Sequence, residues 1–161
     1  ASAHGEGQGE WLVTPEGQRS SLKATITSDD VAATLRALNY GDMIEAKHGE
    51  LQGDLRWPGG FGSALLERAA GSISVRAENG QLVAVQPGAG RVLGLFSVAA
   101  LPRRLALDFK DLTEKGLAFD SVRGDFELRD GNAFTSNLLL RGPAAEIGIA
   151  GRTGLASRDY D

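Results

Sequence analysis

The chain has 161 residues, a net charge of −4 and no cysteine. That length suits one domain or one piece of a larger protein. The acidic balance gives no electrostatic footing for nucleic acid, and the missing cysteines exclude disulfides. The 22 glycines are too scattered for a collagen repeat, and many stand inside or between strand patterns, where they suit bends of a curved sheet.

Residues 1–9 are small, polar and Gly-rich, and read as a flexible segment before a body of residues 10–161. Glu10 to Thr14 opens a first strand that turns at Pro15-Glu16-Gly17. Ser20 to Thr27 alternates, with Leu22, Ala24 and Ile26 on one side. A helix is predicted over 29–39, with Ser28 as its N-cap and Asp29 and Asp30 in its first turn. Glu50 to Trp57 alternates again and ends at Pro58-Gly59-Gly60. Ser63 to Ala69 is a short helix candidate. Ser72 to Ala77 and Gln81 to Gln86 read as a hairpin about Glu78-Asn79-Gly80, because Asn-Gly supplies positive φ.

Gly88 to Leu101 is predicted as an apolar helix with Arg91 as its single charge. A helix apolar all round is buried or touches lipid, and at ~20 Å this one is too short to cross a bilayer. It either plugs the sheet as core or lines an apolar passage through Val92, Leu93, Leu95, Phe96 and Leu101. Leu105, Leu107 and Phe109 begin a final meander that turns at Asp130-Gly131 and Gly142-Pro143. In Val122 to Asp130, apolar Val122, Phe126 and Leu128 alternate with Arg123, Asp125, Glu127 and Arg129. Such a strand belongs to an antiparallel sheet with one apolar and one charged face. The fold expected is mainly β: a curved antiparallel sheet with two short helices.

Chemistry-bearing motifs are sparse. Gly88-Ala89-Gly90 to Gly94 imitates a dinucleotide loop, but its third glycine is one position late, and hairpin-joined alternating strands are not those of a doubly wound sheet. His4 and His48 have no partner at metal-ligand spacing. Asp108, Asp111, Asp120, Asp125 and Asp130 read as solvated charge. No catalytic site, metal or cofactor is expected.

Two stretches carry a resemblance. Pro87 to Phe109, PGAGRVLGLFSVAALPRRLALDF, and the region from Lys115 through Gly151-Arg152-Thr153 closely resemble the C-terminal part of a member of the AsmA-like family of Gram-negative envelope proteins. Ala24 to Gly59 and Ala69 to Gly88 are similar to the region before it, in the same order. The resemblance covers nearly everything from Trp11 onward and implies a segment of a longer protein, as does the abrupt end at Asp161. It implies a long curved β-sheet with an apolar groove, anchored in the inner membrane, crossing the periplasm and moving phospholipid towards the outer membrane.

On that reading Phe119, Val122, Phe126, Leu128, Phe134, Leu138, Leu140, Ile147 and Ile149 form the lipid-contacting face, and residues 92–101 gate it. The implied partners are phospholipid, both membranes through the full-length protein, and envelope proteins. The rival expectation is a structural or interaction module whose apolar face is packed by its own helices.

Overall fold

The computed structural model describes residues 2–37, 44–60, 65–83, 116–143 and 146–155. Val92, Leu93, Leu95, Phe96 and Leu101, expected to gate the groove, and the strand expected from Leu105 lie outside them. Among the described residues seven strands form one open, curled antiparallel sheet in chain order. They are β1 (Ala3–Thr14), β2 (Gly17–Ser28), β3 (Ile44–Pro58), β4 (Ala70–Leu82), β5 (Leu117–Arg129), β6 (Asn132–Arg141) and β7 (Glu146–Gly154). Two short helices, α1 (Val31–Ala37) and α2 (Leu65–Arg68), interrupt the meander. The mainly β, curved antiparallel architecture expected from alternation is the one observed.

Local chemistry sets the turns. Thr14 pairs with Gly17, leaving Pro15 and Glu16 as a two-residue loop. Asp130 and Gly131 have φ of 51° and 71°, the two positive angles a type I′ hairpin needs. Ala3 to Gly9, read as a flexible segment, is paired residue by residue with β2 from Ser28 to Leu22.

Helix α1 starts later than expected. Its cap is Asp30, whose Oδ1 accepts the Ala33 N–H at 2.9 Å. Ser28 works one step earlier: its Oγ accepts the Asp30 N–H at 3.0 Å and lies 2.8 Å from Thr34 Oγ1. This satisfies donors that the first helical turn leaves open.

The hairpin expected at Glu78-Asn79-Gly80 is absent, and β4 runs straight through it. Asn79 does take positive φ, 52°, but inside the strand. The apolar positions of three neighbouring strands change phase on that line. They step by three, from Ala46 to Gly49, from Ala77 to Gly80 and from Phe119 to Val122. Ala46, Gly80 and Phe119 are cross-strand partners, and so are Gly49, Ala77 and Val122. Each strand therefore carries one extra residue (Lys47, Asn79 or Asp120) at the same level, and pairing resumes without a register shift. The crease keeps apolar side chains on one face although the alternation slips. Asn79→Val puts a β-branched residue at positive φ and is expected to cost about 1–3 kcal/mol, with Asn79→Gly near neutral, as read by urea unfolding.

Two hydrophobic clusters hold the apolar face, one towards each end of the strands. Leu55, Trp57, Ala69, Leu128 and Ala133 form the first, joined by Leu22, Ile73, Phe126 and Leu155. Trp57 is 3% exposed, and its Nε1–H donates to Gly60 O at 3.0 Å. Ala46, Ala77, Phe119 and Leu140 form the second, against which Val31 of α1 packs.

Candidate functional site

The strand register draws the region between these clusters. Gly5 faces Ile26, Ile26 faces Leu51, Leu51 faces Val75, and Val75 faces Gly124. Leu138 lies against Gly124, where an added Cβ would meet its side chain at 2.8 Å, and Leu138 faces Ile149. The result is an apolar row that crosses all seven strands and belongs to neither cluster. Six gaps at ~4.8 Å make it about 29 Å long. Ile26 and Leu51 are 37% and 39% exposed, so part of the row faces solvent. Trp11 and Val13, 56% and 67% exposed, are on the same face of β1 but further along the strand, towards the Trp57 end of the sheet.

The other face is polar. Lys23 Nζ lies 3.2 Å from Asp54 Oδ2, and Arg129 lies near Glu127. Depressions of 530 Å³, around Lys23 and Asp54, and 650 Å³, around Asp125, Asn137 and Phe134, open on this face. A third, of 390 Å³, surrounds His48 and Asp29.

The face assignments of the expected residues are mixed. Leu138 and Ile149 are in the central row. Phe119, Leu128 and Leu140 are buried inside the clusters, while Val122, Phe126 and Ile147 pack against them. Phe134 is on the opposite face and corrects the expectation. It pairs with Glu127 and Arg152, and the Arg129 guanidinium sits 4.3 Å from its ring centre. The cause is a bulge in β6 between Thr135 and Leu138, which reverses the alternation between Phe134 and Leu138. Ile26, Leu51 and Val75 were not singled out, although the alternation of Ser20–Thr27 and Glu50–Trp57 already placed two of them on an apolar face.

Asn137 fills the gap made by that bulge. Its Oδ1 accepts the Asp125 N–H at 2.9 Å, and its Nδ2 donates to Asp125 Oδ2 at 2.7 Å. Ser74 Oγ donates to Asp125 Oδ1 at 2.6 Å, so one carboxylate joins β4, β5 and β6. The Ser74 and Asn137 hydrogen bonds, with Arg76 contributing less, hold the Asp125 pKa below its ordinary 3.8. A depressed carboxylate pKa stabilises the fold above its unfolded value, and that contribution is lost as pH falls through the folded value. Asp125→Asn is therefore expected to flatten the loss of melting temperature below about pH 4, as read by circular dichroism.

Among the described residues no group of three or more His, Asp or Glu is placed to hold a metal, and no helix is long and apolar enough to cross a membrane. The arrangement offers a strip that can cover hydrocarbon.

Comparison with known proteins decides the family. The family model described as YhdP protein matches residues 2–161. The chain belongs to the YhdP family. It is 32% identical over 157 residues to the "Intermembrane phospholipid transporter YhdP" of Escherichia coli (strain K12), covering 95% of this chain and 12% of that protein. The chain thus spans about an eighth of the length of the YhdP relative that it matches. No solved structure matches. The family resemblance drawn from Pro87 to Phe109 and the Gly151-Arg152-Thr153 end is thereby established.

Proposed function

We propose that this chain is a segment of a bridge-like phospholipid transport protein, carrying lipid through the periplasm towards the outer membrane along an apolar β-groove. The observation that carries the reading is the row from Gly5 to Ile149, which neither cluster takes in. The name of the Escherichia coli relative supports phospholipid as the cargo. Two acyl chains hold about thirty CH₂ groups at ~0.8 kcal/mol each, so exposing both to water costs on the order of 24 kcal/mol. A continuous apolar strip removes most of that barrier while the head group stays in water.

The strip does no bond chemistry, and the segment is not an enzyme and uses no cofactor. Leu138 and Ile149 contact the tails directly. Val122, Phe126, Leu128, Leu140 and Ile147 support them from the clusters, and Val92, Leu93, Leu95, Phe96 and Leu101 gate the strip. The membranes at either end are reached through the full-length protein, together with envelope proteins as further partners. The rival packed module requires an apolar face closed by its own helices, and the partial exposure of Ile26 and Leu51 weighs against it.

The two tryptophans provide a test. Trp11 is exposed on the apolar face and Trp57 is buried. Phospholipid brominated along its acyl chains is expected to quench Trp11 fluorescence, and Trp11→Phe to abolish most of the quenching. Quenching no greater than that by brominated head-group analogues would contradict the proposal.

A further inference from the structure

The row is not equally open along its length. Its most exposed large residues, Ile26 and Leu51, are partners on β2 and β3, and the other exposed large apolar residues of this face, Trp11 and Val13, are further along β1. On β1 itself Gly5, Gly7 and Gly9 face Ile26, Ala24 and Leu22, so no side chain stands above the strand there. Beyond β4 the row is less exposed. Leu138 and Ile149 are half-buried, and Leu138 lies over Gly124.

We infer that the β1–β3 section is where this segment holds most of the acyl chain, and that Leu138 and Ile149 in the β4–β7 section touch it far less. This rests on the lipid-transport reading above and locates the cargo within it. The driving force for a tail to settle scales with the apolar area it removes from water, and that area is concentrated on β1–β3. The chemistry also selects hydrocarbon over a peptide. A peptide laid across this face brings backbone N–H and C=O groups that need partners. Gly5, Ile26, Leu51 and Val75 offer no polar side chain to meet them. Hydrocarbon has no such need.

The test is photo-crosslinking in the full-length protein within the cells that make it, with benzoylphenylalanine placed singly at positions 26, 51, 138 and 149. Phospholipid adducts, counted by phosphorus label, are expected at 26 and 51 at least fivefold above those at 138 and 149. Equal lipid labelling at all four positions would overturn the β1–β3 assignment and leave the transport reading standing. Protein adducts in place of lipid at 26 and 51 would overturn the choice of occupant. No lipid adduct at any position would sink the inference together with the reading beneath it.

Discussion

Phe119→Ala is expected to destabilise the sheet by about 3–5 kcal/mol, as for a large aromatic removed from a packed core. Phe119 is 2% exposed and sits at the crease, facing Gly80 of β4. A Cβ added to Gly80 would come within 2.6 Å of the Phe119 ring, so the glycine is the seat on which the ring rests. Around it are Ala46, Ala77 and Leu140, two of them too small to fill the void left by a lost ring. Urea unfolding reads the effect directly. A cost below about 1 kcal/mol would mean that the cluster collapses freely, and that the crease does not depend on it.

Leu51→Asp is expected to leave a folded sheet with at least a tenfold loss of bound phospholipid. Leu51 is 39% exposed, so an aspartate there keeps much of its hydration and the folding cost stays near 1–2 kcal/mol. A tail laid over it would have to strip that water from a charge, which is far more costly than leaving a CH₂ group exposed. Leu12→Asp is the matched control. Leu12 is 56% exposed but pairs with Arg19 on the polar face, so its substitution should leave lipid binding unchanged. Lipid recovered with each variant, measured beside its circular dichroism spectrum, separates lost binding from lost fold. Equal lipid loss in both variants would show that position on the apolar face does not matter.

The strands were legible because alternation is a local signal: Leu22, Ala24 and Ile26, or Leu51, Leu55 and Trp57, declare their face without help from distant residues. The Asp130-Gly131 and Pro15-Glu16 turns were legible for the same reason. What was not legible depended on neighbours. Asn79-Gly80 has the chemistry of a tight turn, and only the matching slips at Lys47 and Asp120 turn its positive φ into a crease within a continuous strand. Phe134 belongs to the apolar face by simple period two, and a single bulge residue in β6 moves it to the other. Ala3 to Gly9 lacks side chains that announce a strand, yet β2 supplies a complete partner for it.

The candidate site shows the same division. Sequence reading named residues on β5 to β7, because β5 and β6 are dense in large apolar side chains. Those side chains are largely used up in packing one another. The exposed part of the face is on β1 to β3, where side chains are fewer and glycines leave room. Hydrophobicity along the chain reports what is apolar, whereas exposure depends on how completely the clusters close.

The most direct test of the central claim is native mass spectrometry of the chain purified without detergent. The account predicts a mass increment of phospholipid on the wild-type chain, identified by lipid extraction, and its absence from Leu51→Asp. A folded wild-type chain that carries no lipid, and takes none up from phospholipid vesicles, would contradict it.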